Sequence, residues 1–474
     1  MGVEISETYF DDTAFAEYQR RLTDETALLE TLLAQKRFST LGDVGGYELE
    51  CWLLDHNYFP APINQQLLDT LNDPMVVPEL SRFNIEINGQ PQALKGNALS
   101  SMIAELSNTW RRCQKAAHGL DSLLMMIGTL PTIRQKDLCL ANMSSLKRYR
   151  ALNEQVLNRR KGKPLRISIT GNETLDITHS DVMLEAATTS FQIHLQTSQK
   201  NAVRSFNASL IAAAPILAAA GNSPYLFGAD LWDETRIPLF EQSVDINANA
   251  SEENRRVSFG QGYALESLHE CFVENVLNHP VLIPLLTDSP VEHFTHLRLH
   301  NGTIWRWVRP LIGFDSDQTP HFRIEQRVLP AGPTIVDMLA NAALYFGLVS
   351  FMTNLKEPLE QNISFEHTRL NFYAAAKDGL NATLTWIDGS EIDARTLLLD
   401  ELLPMAKSGL SLLNINNNDI DAFLGILKAR ILSRQTGATW QRAYREKYRR
   451  YNAHLVAAYL EKQRSGAPVH EWDI

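Results

Sequence analysis

Cysteine is scarce in this sequence, with four residues among 474. No two of them form a C-x-x-C pair, and their spacing matches no zinc-finger pattern, which argues against a disulfide framework or a zinc scaffold. Reduced, mostly buried thiols are typical of a cytoplasmic protein, and we expect that location. The first 17 residues are acidic and lack the basic and apolar regions of a secretory signal peptide.

Long hydrophobic runs are also missing. Residues 208–220 are rich in alanine but contain Pro215, and residues 335–352 contain Asp337 and Asn341. Neither run reaches the roughly 20 uninterrupted apolar residues that a membrane span needs. We therefore predict two buried helices and no membrane partner.

Positive charge is in deficit, because 44 lysines and arginines face 55 acids and the formal net charge is −11. No broad basic field would offset phosphate repulsion, which argues against nucleic-acid binding. The sequence also lacks the G-x-x-x-x-G-K-[ST] and G-x-G-x-x-G nucleotide motifs and the G-x-S-x-G elbow. If the protein uses ATP, metal ions and arginines must hold the phosphates.

What the sequence does contain is four short alternating segments, at residues 47–50, 83–88, 191–196 and 322–327. Side chains two apart on a strand share one face. A solvated sheet face explains any single segment. Four segments with the same alternation favour a sheet whose polar face binds metal ions and anions. The pairs that share this face are Glu48 with Glu50, Glu86 with Asn88, Gln192 with His194, and Glu325 with Arg327.

The acids on the first two segments are candidate metal ligands. Magnesium takes oxygen ligands at short distance, and Glu48 and Glu50 supply two carboxylates from one strand face. The alternative to metal binding by this pair is that both acids lie on an exposed strand edge. Glu86 lies between Asn84 and Asn88 on one strand face. The alternative to a metal-ligand role for Glu86 is a strand face that simply points to solvent.

The other two segments mix ligands with cations. Gln192 and His194 offer an amide oxygen and an imidazole, although a single histidine also serves structural roles. Glu325 and Arg327 combine a carboxylate with a planar guanidinium that suits phosphate, or they form a structural ion pair. Arg309 shares a face with two tryptophans, where it binds an anion or packs as a cation–π pair.

Helical and strand patterns divide the chain into three parts of one predicted α+β domain, residues 1–474. These are an N-terminal helix (1–41), a core (42–355) and a mainly helical C-terminal portion (356–474). Within the core we predict helices over 97–127, 201–220 and 335–355, and a strand pair over 297–310 and 321–329. We also predict a mobile loop or insertion over 147–166 and a binding loop over 226–254.

Taken in order, these segments resemble glutamate–cysteine ligase family 2, a family of carboxylate–amine ligases with a glutamine-synthetase-like catalytic sheet. The resemblance covers about two thirds of the chain, from residue 42 to 352. Asn88 is not followed by the threonine that many members carry, and residues 230–238 keep Arg236 without the fuller signature. The matching pieces are Gly46-Tyr47-Glu48-Leu49-Glu50, Glu79 through Glu86-Ile87-Asn88, Arg148-Tyr149, Ala187 through Leu195, Pro215 with Gly221-Asn222-Ser223-Pro224, Gly228, Thr235-Arg236, Trp305 with Val308-Arg309-Pro310, Ile324-Glu325-Gln326-Arg327, and Pro333 through Asp337.

The resemblance implies a curved antiparallel sheet with a polar concave face and helices on its outer face. It implies a ligase that uses ATP and Mg²⁺ to activate the γ-carboxylate of glutamate as an acyl phosphate. An amine, that of cysteine in the best-known members, then forms the amide, as in glutathione biosynthesis. The partners would be small-molecule substrates, and the sequence leaves the oligomeric state open, a homo-oligomer included.

The resemblance also assigns roles to residues. Metal ligands are implied at Glu48, Glu50, Glu79, Glu86, His194 and Glu325. Catalytic roles are implied at Glu325, Arg327, Arg236 and Arg309, and nucleotide contacts at Gln192, Arg327 and Arg309. Substrate contacts are implied at Arg148, Tyr149, Asn88 and Arg236.

Two other functions stay open at this stage. The same fold supports phosphagen kinases, which transfer phosphate to a guanidino nitrogen. A catalytically silent member that binds an amino acid or nucleotide as a sensor is the second alternative. The presence of metal-ligand types at Glu48, Glu50, Glu86, His194 and Glu325 argues against a silent site.

Overall fold

The computed structural model describes residue 5 and residues 10–246, 255–449 and 451–474. A curled antiparallel sheet lies at its centre and helices surround it, as the predicted fold class requires. The strands are β1 (Val44–Leu54), β2 (Val76–Pro78), β3 (Asn84–Asn88), β4 (Gln92–Ala93), β5 (Leu123–Met125), β6 (Leu165–Thr170), β7 (Thr174–His179), β8 (Phe191–Thr197), β9 (Tyr225–Leu226), β10 (Ala229–Asp230), β11 (Val257–Ser258), β12 (Trp305–Arg306), β13 (Val308–Phe314), β14 (Pro320–Gln326), β15 (Thr383–Thr385) and β16 (Glu391–Asp393).

The main sheet has the order β13-β14-β8-β1-β3-β2, and the short strands β4 and β5 pair with the two ends of β1. Every pairing in it is antiparallel. The four polar segments predicted from alternation fall on β1, β3, β8 and β14, which are consecutive neighbours in space. Arg327 follows the last residue of β14 directly.

Fifteen α-helices are found in the described ranges. They are α1 (Asp12–Ala34), α2 (Asn64–Leu71), α3 (Ala98–Gly119), α4 (Lys147–Arg159), α5 (Ala202–Ala220), α6 (Arg236–Ser243), α7 (His269–Asn278), α8 (Thr295–Gly302), α9 (Ile335–Thr353), α10 (Phe365–Asp378), α11 (Ala394–Leu397), α12 (Leu403–Leu412), α13 (Asn417–Ser433), α14 (Gly437–Tyr448) and α15 (Asn452–Ser465).

The two most apolar helices, α5 and α9, form the core. They pack on each other and on the sheet, and α12 and α13 cover α9 from the far side. Both are long and apolar enough to cross a membrane by composition, but 89% and 83% of their apolar windows are buried inside the protein. They are the buried core helices predicted from the sequence.

Several predicted boundaries were wrong. The N-terminal helix extends over residues 12–34 rather than 1–41, and residues 1–4 and 6–9 lie outside the described part. The helix predicted over 97–127 ends at Gly119, because the chain turns at Asp121 (φ 54°) and enters β5. The strand predicted from residue 297 is helical at first, as α8, and the strands of that pair are β13 and β14.

The segment 147–166 is an ordered helix and not the predicted mobile loop. It forms α4 and the start of β6, and Tyr149, Ala151 and Val156 of the helix are buried. The predicted binding loop 226–254 contains β10 and α6, and its residues 247–254 lie outside the described part. The C-terminal portion is mainly helical as predicted, with the β15–β16 hairpin as an interruption.

Candidate active site

Strand register brings the predicted polar residues onto one face of the sheet. Glu50 lies opposite Glu86 in the β1–β3 pair, and Glu325 lies opposite both His194 of β8 and Arg309 of β13. Residues directly opposite in an antiparallel pair project from the same face. The face is not solvated, because Glu86, His194 and Glu325 are only 6%, 5% and 3% exposed. Burial thus removes the solvated-face alternative for these three residues.

Glu48, His194 and Glu325 form one group, here called the histidine cluster. Each offers a ligand atom, and these atoms lie within 4.8 Å of one another. The His194 Nε2 is 3.3 Å from the Glu48 Oε1, and within the described residues the Nδ1 atom has no hydrogen-bond partner. The imidazole is therefore available as a metal ligand.

Cations accompany the acids of the histidine cluster. Arg309 donates to both Glu325 oxygens, at 2.8 and 3.1 Å, and Arg327 lies 3.2 Å from Glu325 Oε2. Burial opposes ionisation of Glu325, but these two guanidinium groups lower its pKa to about 2. Burial likewise opposes ionisation of Glu48, and His194 beside it holds the pKa of Glu48 well below its usual value.

Glu50, Glu79 and Glu86 form a second group, the triple-glutamate cluster, whose ligand atoms also lie within 4.8 Å of one another. In the described ranges none of the three forms an ion pair with an arginine, lysine or histidine. Glu50 instead accepts hydrogen bonds from the Ser190 backbone N–H (2.6 Å) and the Gln192 amide (3.0 Å). The loop between β2 and β3 carries Glu79, outside the four polar strands.

The triple-glutamate cluster resists ionisation. Burial and then the charges of Glu48 and Glu50 raise the pKa of Glu86 to about 7. Burial and the neighbouring carboxylates raise the pKa of Glu79 well above its usual value, and burial raises that of Glu50 despite the charge of Arg327. Three such carboxylates would be costly to bury without a compensating cation.

Both clusters therefore fit divalent cations by their donor chemistry. An all-carboxylate site is what a hard cation such as Mg²⁺ selects, and carboxylates with one imidazole also suit a divalent ion. A bound cation would satisfy the His194 imidazole, whose Nδ1 has no partner among the described residues, and the carboxylates of the triple-glutamate cluster, which form no ion pair there.

Arg327 lies between the two clusters. Its guanidinium donates to the side-chain oxygen of Gln192 and also contacts Glu325. Because the amide of Gln192 donates in turn to Glu50, a short hydrogen-bonded chain joins the histidine cluster to the triple-glutamate cluster.

The guanidinium groups of Arg309 and Arg236 are each held by hydrogen bonds to neighbouring side chains or backbone carbonyls. Arg309 does not stack on the neighbouring tryptophans, because its guanidinium is engaged by Glu325 and by two backbone carbonyls. Arg236 is 2% exposed, pairs with Glu234 at 3.3 Å and lies 5.5 Å from the Trp307 ring centre. Arg309 thus lies on the same face as the histidine cluster, and Arg236 donates to the backbone carbonyls of Arg327 and Val328 beside it.

The predicted substrate-side residues lie beside the triple-glutamate cluster. Arg148 donates to the Tyr149 hydroxyl at 2.7 Å, and its charge reaches both Glu79 and Glu86. The amide of Asn88 donates to Glu86 at 2.9 Å. The structure therefore brings Arg148, Tyr149 and Asn88 to the end of the face that is richest in acids.

Comparison with known protein families identifies the family to which the chain belongs. A sequence model of glutamate-cysteine ligase family 2 matches residues 44–458, most of the chain. The chain belongs to this family. No curated protein sequence matches it.

Two solved structures share the fold of this family member. The glutamate–cysteine ligase of Francisella tularensis, solved in complex with AMP, is 13% identical with a TM-score of 0.59, and the match covers 92% of this chain and 90% of that one. A bifunctional glutathione synthetase from Pasteurella multocida is 11% identical with a TM-score of 0.53, and the match covers 93% of this chain and 55% of that one. The family supports a carboxylate–amine ligase, and the two solved structures share its fold.

Two residues of this ligase site escaped the sequence reasoning. Glu185 lies in a short 3-10 helix (Val182–Ala187), where burial and then the charge of Glu50 raise its pKa to about 8. No periodic signal marks it, because it is not on a strand. Arg323 shares the polar face with Glu325, two residues away, so alternation could have identified it. Its buried Nε has no hydrogen-bond partner among the described residues.

Proposed function

We propose that the protein uses ATP and Mg²⁺ to activate a carboxylate, the γ-carboxylate of glutamate, and joins it to an amine, with cysteine as the first acceptor to test. The observation that carries the proposal is the pair of clusters, side by side on one buried sheet face and linked through Arg327 and Gln192. We expect the reaction to be cytoplasmic, in keeping with four unpaired cysteines.

The reaction consists of two displacements. A carboxylate oxygen attacks the γ-phosphorus of ATP, ADP leaves, and the carboxylate becomes an acyl phosphate. The amine nitrogen then attacks the acyl carbon, phosphate leaves with its bonding electrons, and the nitrogen loses a proton. Phosphoryl transfer of this kind depends on positioning and charge rather than on a covalent catalyst.

The residues of the face would divide this work. The two clusters would hold Mg²⁺, whose charge would offset the buried carboxylates and the phosphate oxygens. Arg327 would stabilise the transferring phosphoryl group, and Gln192 would orient Arg327 through the hydrogen bond between them. Arg148, Tyr149 and Asn88 would contact substrate, since they lie beside the triple-glutamate cluster.

Arg323 adds a phosphate contact to this proposal. It shares the face and the strand of Glu325, and its charge reaches Glu48 of the histidine cluster. A guanidinium whose buried Nε–H has no hydrogen-bond partner among the described residues is well suited to donate to a phosphate oxygen. Arg323 would thus bind the nucleotide phosphates on the side of the histidine cluster that faces away from Arg327.

The decisive experiment supplies purified protein with ATP, Mg²⁺ and glutamate, with and without a panel of amines, while phosphate and ADP are measured. We expect phosphate release that depends on the amine, with cysteine tested first. Glu461→Gln, an exposed change on α15, is the matched control and should leave the rate unchanged.

Other outcomes would contradict the proposal. ADP without free phosphate, together with a phosphorylated guanidine, would identify a kinase. Nucleotide binding without turnover on any pair of substrates would identify a sensor.

A further inference from the structure

A second concave site lies away from the carboxylate clusters. It is a cavity of about 1030 Å³ lined mainly by three groups of residues: 131–135 after β5, the turn 227–228 between β9 and β10, and residues 445, 449 and 451–453 near the end of α14 and the start of α15. No member of the two clusters lines it. Its charged and aromatic lining side chains are Arg134, Arg445, Arg449, Phe59, Phe227 and Tyr451.

The lining is positively charged in an otherwise acidic protein. It contains three arginines and, among the described residues, no aspartate or glutamate, although the whole chain carries a net charge of −11. Asp137 neutralises Arg134 through two hydrogen bonds of 2.8 Å. The remaining two arginines give the cavity its positive charge.

Arg445 and Arg449 have no acidic partner in the described ranges. Arg445 donates to the backbone carbonyl of Gly228 at 3.1 Å and lies 4.6 Å from the centre of the Tyr225 ring, which fixes its position without neutralising it. Arg449 directly follows the last residue of α14 and is exposed. Its side chain makes no hydrogen bond or ion pair within the described residues. One guanidinium is thus held in place beside a second that can adjust to a ligand.

The rest of the wall is built for a small molecule. Asn452 ties the start of α15 to the Pro131 carbonyl at 2.7 Å, so two walls of the cavity are held together. Phe59 and Phe227 supply flat apolar surface, and Arg134 lies 4.2 Å over the Phe59 ring. The volume suits ligands of nucleotide or peptide size.

We propose that this cavity binds a small-molecule oxyanion, a carboxylate or a phosphate, with Arg445 and Arg449 as the recognition groups. Guanidinium forks pair with both oxyanions through parallel hydrogen bonds, and the aromatic side chains would cover an apolar or planar body. None of the cluster residues lines this cavity, so we expect its ligand to bind whether or not the chain forms amides.

The test measures binding directly, in EDTA, so that no metal bridges ligands to the clusters. Inorganic phosphate, AMP and glycylglycine are titrated calorimetrically into the wild type, the double variant R445Q/R449Q and the control R464Q. Arg464 is exposed on α15, outside the cavity. At least one probe should bind the wild type and lose about tenfold or more in affinity in the double variant, with R464Q unchanged.

The probes separate the two ligand sources. Binding of AMP and phosphate identifies a phosphate site, and binding of glycylglycine alone identifies a carboxylate site. Equal binding to the wild type and R445Q/R449Q, or no probe with a Kd below about 1 mM, would overturn the proposal. If the double variant does not fold, R449Q replaces it, because the Arg449 side chain is exposed and makes no hydrogen bond or ion pair within the described residues.

Discussion

The two acid clusters occupy one sheet face but differ in how their charge is balanced. In the histidine cluster, Glu325 is paired with Arg309 and Arg327, and Glu48 lies next to His194. In the triple-glutamate cluster the described residues supply hydrogen bonds from neutral groups and no ion pair. The pKa values follow this difference, low for Glu48 and Glu325 and high for Glu50, Glu79 and Glu86.

The difference separates two roles for buried acids. Glu325 is both a candidate metal ligand and the anion that satisfies two buried arginines, so the fold itself depends on it. Glu86 contributes little to the fold and opposes it while no cation is bound. The same substitution in the two clusters should therefore affect activity alike and stability differently.

The largest effect is expected for Glu325→Gln. Activity should fall more than about 100-fold, since even the loss of a group behind a metal ligand costs 10- to 100-fold. The free energy of unfolding should also fall, by about 3 kcal/mol, because Arg309 loses its buried counter-ion. Urea unfolding in EDTA and a phosphate-release assay measure the two effects, with Glu461→Gln as the control. Full activity in this variant would contradict its assignment as a metal ligand.

Glu86→Gln should separate the two effects. Activity should again fall more than about 100-fold, but the unfolding free energy in EDTA should not fall by more than about 0.5 kcal/mol, the usual range for a change that breaks no specific interaction. The reason is that the amide relieves repulsion within the triple-glutamate cluster and keeps a partner for Asn88. A loss of stability as large as that of Glu325→Gln would show that the clusters do not differ as described.

Added Mg²⁺ should stabilise the wild type more than the Glu86→Gln variant. A ligand at 100 times its Kd adds about 2.7 kcal/mol to the unfolding free energy. The variant should gain less at the same concentration, because one of its ligand carboxylates is gone. Thermal or urea unfolding with and without Mg²⁺ measures the difference, and Ca²⁺ serves as a second hard cation. Equal stabilisation of the two proteins would place the cation elsewhere.

Alternation in the sequence could predict which strands carry the site, since side-chain direction on a strand follows a period of two. It paired Glu48 with Glu50 and Glu325 with Arg327 on a shared polar face. The alternation of β1 and β14 places Glu48, Glu50 and Glu325 on that face. It could not predict which strands are neighbours, because pairing is decided by the tertiary fold. The family resemblance, read from ordered short motifs, was correct, and it implied a curved antiparallel sheet with one polar face. It did not give the order of the strands.

Two acids near Glu50 could not be placed by periodicity, because they lie outside the strands and α-helices. Glu185 is on a 3-10 turn and Glu79 is in a loop, so no period places them beside Glu50, and Glu79 was identified only through the resemblance. Element boundaries failed for a similar reason. Residues 123–125 continue the apolar pattern of α3, and a short apolar run does not distinguish helix from strand.

The smallest effect is expected for substitutions of Arg323, which lies beside the histidine cluster. Arg323→Gln should raise the KM for ATP about tenfold and leave the KM for glutamate unchanged, because a hydrogen bond to a charged group contributes about 1.5–3 kcal/mol. Arg323→Lys should lie between, since it keeps the charge but not the planar fork. Fluorescent-nucleotide binding measures the same loss without turnover. A rise in the KM for glutamate instead would place the phosphates at the triple-glutamate cluster. The histidine cluster, whose acids are paired with cations, would then receive the carboxylate substrate.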